Sequence, residues 1–184
     1  MSVTSTNLIQ GPATLYWAPF GTTEPVTLDG EPGAEWIDLG GTKEGITLSV
    51  SSEWSELTVD QIVDVVERRR TGRAVSIGTS LAEATLDNLA RAYNNAQPAA
   101  GGAGESVLEL DDGLAAFAPA YGAILCDGIA PGGLRRRIIV RKTLSTESVE
   151  SAYKKDDQTL VPVTFAMHWV SASVRPFKII DATA

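Results

Sequence analysis

Side chains that usually carry chemistry are scarce in this chain. Its single cysteine, Cys126, excludes an internal disulfide, suits assembly in a reducing cytoplasm and reads as a small packed hydrophobe. Its single histidine, His168, falls on the less apolar face of its segment and has no second histidine or spare cysteine with which to complete a metal set. A catalytic or metal-ligating role for it is therefore not expected. No apolar run approaches the length of a bilayer-crossing helix, and Met1 to Gln10 has neither the basic start nor the apolar stretch of a secretory leader. Internal repeats, low-complexity tracts and heptads are also absent. The expectation is a protein that is not an enzyme, with no cofactor, no metal and no membrane partner.

Three short motifs invite a sharper reading and do not sustain it. Gly40-Gly41-Thr42-Lys43-Glu44-Gly45 superficially resembles a phosphate-binding loop, but that loop needs Gly-Lys-Ser/Thr opening a helix, and these glycines open a strand. Asp111-Asp112-Gly113 and Asp156-Asp157 lack calcium-ligand spacing and read as solvated turns.

What the chain does have is apolar material and an uneven charge. Its 184 residues are 43% hydrophobic, enough to fill the core of one domain spanning 1–184. The net charge is −8, which disfavours ordinary nucleic-acid binding. Up to Asp60 the only basic residue is Lys43, against Glu24, Asp29, Glu31, Glu35, Asp38, Glu44, Glu53, Glu56 and Asp60. The remainder is balanced but holds two basic triplets, Arg68-Arg69-Arg70 and Arg135-Arg136-Arg137. Such segregation suits subunits that meet their own copies.

The pattern is mainly that of strands. Ile46, Leu48 and Val50 alternate with Thr47, Ser49 and Ser51, and after Thr71-Gly72-Arg73 a second alternation runs through Val75, Ile77, Thr79 and Leu81. Ser80-Leu81-Ala82-Glu83 reads as a capping box opening a helix over about 81–95, with Leu86, Leu89, Ala90 and Tyr93 on its apolar face. Further strands are predicted at Val107–Leu110, Tyr121–Asp127, Arg135–Thr143, Ser148–Lys154 and Thr159–Val170. In the last, Val161, Val163, Phe165, Met167 and Trp169 share a face that should be core. The Gly-, Pro- and acid-rich stretch 24–34 reads as a surface loop, open to disorder in a free monomer, and 96–104 as a connector within the domain. The fold class is mainly β, a sandwich or half-barrel with one flanking helix.

The ordered series Trp36-Ile37-Asp38-Leu39-Gly40, a Gly-led strand, Val59-Asp60-Gln61, Arg70-Thr71-Gly72, a strand and Leu81-Ala82-Glu83 with Thr85-Leu86 and Asn88-Leu89 resembles the major tail tube protein of long-tailed double-stranded DNA bacteriophages. Gly11-Pro12-Ala13-Thr14-Leu15-Tyr16-Trp17-Ala18-Pro19 resembles that family's first strand. The likeness is close over the first half of the chain.

The resemblance implies a virion tail subunit, assembled in the host bacterial cytoplasm into stacked rings of six that form a conduit for DNA ejection. It also implies tape measure and tail terminator proteins as partners, with DNA in transit and not specifically bound. On that reading the polar face of the first long strand, Thr47, Ser49, Ser51 and Glu53, lines the bore. The segment 51–60, with Trp54, Ser55, Glu56 and Leu57, forms a loop reaching the next ring. Arg68, Arg69, Arg70, Arg135, Arg136 and Arg137 either guard exposed sheet edges or pair with carboxylates of a neighbouring subunit, and the resemblance favours pairing. Two other readings stand beside it: a tube subunit of a contractile injection system, and a capsid decoration or adhesion β-module.

Overall fold

The structure, a computed structural model, describes residues 3–112 and 116–183. In chain order its main elements are β1 (Thr14–Pro19), β2 (Ile37–Asp38), β3 (Thr42–Val59), β4 (Ile62–Leu81), α1 (Leu86–Ala92), β5 (Ala99–Ala100), β6 (Ser106–Val107), β7 (Gly122–Ile129), β8 (Arg135–Ser145), β9 (Val161–Met167) and β10 (Phe177–Asp181). It is mainly β and antiparallel, with one α-helix lying wholly within the described residues. Gly113, of the Asp111-Asp112-Gly113 turn, lies outside them.

Eight strands form one sheet in the order β2-β1-β7-β8-β9-β4-β3, with β10 added to β8. Strand β8 is the junction. One edge pairs with β7, and the other is shared, Arg136 to Val140 taking β10 and Thr143 to Ser145 taking β9. The alternation read in β3 and β4 holds in three strands at once: Leu48 lies opposite Ile77, which lies opposite Phe165, and Ile46, Thr79 and Val163 form the next rung. Residues directly opposite share a face, so these rungs make an apolar layer. A second layer comes from Leu15 and Cys126, and from Trp17, Ile124 and Val140. Leu15, Ile77, Leu81, Ile124, Cys126, Val140, Val161, Val163 and Phe165 belong to a single buried cluster, so the two ends of the sheet fold over to face each other. That agrees with the mainly β sandwich or half-barrel expected. Each such side chain contributes about 1.5–3 kcal/mol by leaving water. The reverse face of β1, β7 and β8 buries Tyr16, Ala18, Ala123, Leu125 and Ile139 under Trp36, whose Nε1 donates to the Thr23 carbonyl at 3.1 Å.

Several local expectations change. The helix is shorter than 81–95 and starts later. Its N-cap is Thr85, whose hydroxyl accepts from the Asn88 amide at 3.2 Å. Ser80 and Leu81 stay in β4, because Leu81 is paired on both sides, with Thr42 and Val161, and ladder bonds outweigh the capping box. The Glu83 carboxylate turns instead to the Gly41 amide, 3.0 Å away. The helix buries Asn88, Ala90, Arg91 and Ala92, while Leu86 and Tyr93 are exposed and Leu89 is half-buried. Of Val107–Leu110 only the short β6 remains. Ser148–Lys154 is not a strand, since both edges of β8 are already occupied. Trp169 lies beyond the end of β9 and is exposed, not core. β10, unforeseen, closes the lower edge of β8.

Candidate functional site

The outer parts of β3 and β4 leave the body of the subunit as a hairpin. Val75 is the last buried residue of β4 on this side, and from its partner Val50 to Asp60 the strand extends about 33 Å. The segment 51–60 is therefore not a loop. Trp54, Ser55, Glu56 and Leu57 are strand residues opposite Arg70, Arg69, Arg68 and Glu67, and the turn is confined to Asp60-Gln61 between Val59 and Ile62. Opposite charges and a Trp–Arg pair facing each other across the strands keep the ladder going where sequence alone suggested a turn. A register shift beside Glu53 leaves Thr71 as an extra residue on β4. Val50, Trp54, Val59, Ile62, Val63 and Val66 are all exposed along this arm, from its root to its tip.

At the root of the arm the two sheet faces differ in chemistry. Ile46 and Leu48 pack on the core, so Thr47, Ser49, Ser51 and Glu53 point the other way and are exposed. Their cross-strand neighbours are Gly78, Ser76, Ala74 and Gly72, and β9 continues the face with Thr164 and Ala166. The result is a surface of small and hydroxyl groups. Its acids are Glu53 and Glu147, the latter accepting from the Thr164 hydroxyl at 2.9 Å. Lys43 at its border is 3.5 Å from Asp157. The glycine-rich segment before it makes no phosphate loop: Glu44 and Gly45, with φ of 70° and 79°, form an irregularity inside β3.

The two arginine triplets part company. In the arm, Arg68 bonds Glu56 at 3.0 and 2.8 Å, Arg69 approaches Glu67 at 3.8 Å, and Arg70 lies over the Trp54 ring at 4.9 Å. All three remain exposed.

The second triplet is consumed inside the subunit, which corrects its reading as an inter-subunit cluster. Arg137 is 1% exposed and forms a two-pronged pair with Asp127, at 2.6 and 2.7 Å, while donating to the carbonyls of Thr27 and Gly30. Arg135 reaches Asp127 at 3.0 Å and the carbonyls of Leu28 and Gly30. Arg136 pairs with Asp181 at 2.7 Å through both oxygens. The physical reason is register: Asp127 on β7 lies opposite Arg137, and Asp181 on β10 opposite Arg136.

These bonds also tether the 24–34 loop, which the free chain was expected to leave loose. Glu24 is held by Arg141 and by Lys178. Burial opposes ionisation of Glu24, yet the hydrogen bonds from Arg141 and Lys178 win and hold its carboxyl below the usual range. The hydrogen bond to Asp127 raises the Arg137 pKa, and that to Arg136 lowers the Asp181 pKa. Burial, helped by Asp127, pushes the Cys126 thiol up to about 11, so it is no reactive thiolate.

The sequence reading missed Asp127 and Arg91. An acid inside the apolar run Gly122-Ala123-Ile124-Leu125-Cys126-Asp127 signals a buried partner of opposite charge, and that signal was legible. Arg91 is buried in α1, where a basic residue beside alanines reads as solvent-facing. Among the described residues no group of His, Cys, Asp and Glu could hold a metal ion.

A family model described as phage tail tube protein matches residues 3–182. No curated protein matches the chain. Similar chains occur in solved assemblies, among them these three. One is the virion of a native gene transfer agent particle (13% identity, 80% of this chain and 89% of that chain, TM-score 0.43). Another is the six-fold symmetrised baseplate of the anti-feeding prophage (10% identity, 98% and 97%, TM-score 0.47). The third is the tail of an empty gene transfer agent particle, determined with C6 symmetry (13% identity, 85% and 91%, TM-score 0.41).

Proposed function

Because the chain belongs to the phage tail tube protein family, we propose that it is the repeating subunit of a hollow tube of stacked six-membered rings through which DNA leaves the capsid of a long-tailed phage. The observation that carries this reading is the arm formed by β3 and β4. An exposed hairpin with apolar side chains along both its strands is unsuited to a free monomer, and covering it against further copies removes both the apolar surface and the open edge of β3. The number six comes from the family resemblance.

The Trp54–Leu57 stretch and the tip would bridge successive rings. Arg68, Arg69 and Arg70 would add ionic contacts to a neighbour in exchange for their exposed pairs within the arm. The small polar face of Thr47, Ser49, Ser51 and Glu53 would line the bore, giving a passing polyanion no unpaired cation to hold it, since Lys43 at its border is paired with Asp157. Assembly would take place in the host cytoplasm, with tape measure and terminator proteins fixing the length and end of the tube.

Negative-stain microscopy of the purified protein, intact and with 56–68 replaced by a short turn, tests this. Tubes are expected from the intact chain, and a folded subunit without long tubes from the shortened one. A strictly monomeric intact protein across concentration and temperature would refute the reading.

A further inference from the structure

Two guanidinium groups are buried among the described residues, and only one has a carboxylate. Arg137 is paired with Asp127, whereas the hydrogen bond of Arg91 is to the Asn88 side-chain oxygen, at 3.3 Å. Its Nε is buried without a partner, and its guanidinium lies 5.3 Å from the Trp17 ring centre. A buried cation with no counter-charge is unfavourable unless something outside the subunit supplies one. Burial accordingly pushes the Arg91 pKa down, against the pull of Asp87.

Arg91 lines a cavity of about 210 Å³ together with Trp17, Asn94, Asn95, Tyr121 and Thr143. Three of the other polar side chains there are already engaged, leaving the Trp17 indole N–H, the Tyr121 hydroxyl and exposed Gln97 beside the guanidinium. Asn94 exchanges two bonds with the Ser145 backbone, Asn95 bonds Glu109 and Asp111, and the Thr143 hydroxyl donates to Gly122. The one charged group of the lining is thus a guanidinium with unspent N–H donors between aromatic walls, and the free groups beside it include further N–H and O–H donors. That arrangement selects a single oxyanion carried on an apolar support.

The arm carries such a group. Asp60 is exposed in the turn between Val59 and Ile62, with Val63 beyond; like Glu53 and Asp64 of the same arm it has no ion pair among the described residues, but those two lie on the strands and Asp60 alone stands at the tip.

We propose that the Arg91 cavity receives the hairpin tip of a second copy of this chain, the Asp60 carboxylate pairing with Arg91 while Val59 and Ile62 rest on the Trp17 and Tyr121 rings. This rests on the tube reading above and names its ring-to-ring contact. The pairing supplies the missing counter-charge in a water-poor site, so it is felt in assembly and not in the folding of the subunit.

The test is the protein concentration at which tubes begin to form, followed by light scattering and microscopy on the full chain. Arg91→Met and Asp60→Asn should each raise it at least about tenfold, and the double variant no further than either alone, because both remove the same contact. Arg91→Lys, which keeps the charge but not the fork, should fall between. The free Arg91→Met subunit should melt no lower than the parent, since it loses an unpaired buried cation; a purely structural Arg91 would lower it. Should Arg91→Met fail to fold, Asp60→Asn, placed in an exposed turn, still decides.

Wild-type tubes with unchanged thresholds in the variants, or additive effects in the double variant, would overturn the inference and leave the tube reading standing. No tubes from the wild type would sink both. Sodium acetate stabilising the wild type but not Arg91→Met, with Asp60→Asn assembling normally, would make the cavity a free-anion site and overturn the pairing with a second copy.

Discussion

Arg137 and Asp127 form the one fully buried ion pair among the described residues, and its worth lies in what is left when half of it is removed. Asp127→Ala would strand a guanidinium in the core and free the carbonyls of the 27–30 segment. A loss of about 3–5 kcal/mol of subunit stability in urea unfolding is expected. Glu24 provides a pH signature. Its folded-state pKa is depressed, so its contribution is present above the ordinary value of 4.5 and is lost as pH falls through the lower folded value. Melting temperature followed from pH 7 downward should therefore drop below the ordinary carboxylate range, and Glu24→Gln should flatten that limb. Side-chain partners of this kind were half legible: an acid in a buried strand announces a cation, but which of three adjacent arginines takes it depends on a strand register that the sequence does not specify.

At the scale of elements, the helix shows where local signals are outvoted. Ser80 looked like its cap, yet the bond is made by Thr85, so Thr85→Ala should cost about 1 kcal/mol and Ser80→Ala clearly less, measured as shifts in chemical denaturation. Long strands were legible because alternation over Ile46, Leu48, Ile77, Val161, Val163 and Phe165 matches one buried face. Ser148–Lys154 was misread and β10 overlooked for a common reason. Whether a short segment becomes a strand is decided by a free ladder on its neighbour, and β8 offered one to Phe177–Asp181 but none to Ser148–Lys154. The turn of the arm was misplaced in the same way, since the Glu56–Arg68 and Trp54–Arg70 pairs that prolong the hairpin are contacts across the sheet.

For the whole molecule, the proposed bore makes the sharpest demand on charge. Replacing Ser49 and Glu53 by lysine should leave assembly intact at moderate salt but slow DNA release, with partial recovery as ionic strength rises; ejection kinetics read by dye uptake would check it, and normal rates would reject this face as the lining. The arm has a different consequence, in time. Between Val50 and Val75 its ladder touches the core nowhere, so in the free subunit it opens and closes almost independently of global unfolding. Amides of the arm should exchange with deuterium rapidly in free subunits and slowly in tubes, while those of β7 and β8 stay slow in both. A subunit joining a finished end finds a template that holds its arm closed, whereas two free subunits must each restrain a flickering hairpin at the moment they meet. On the proposed tube reading spontaneous initiation would thereby be slow and extension fast, so growth would start where something had already ordered a first set of subunits.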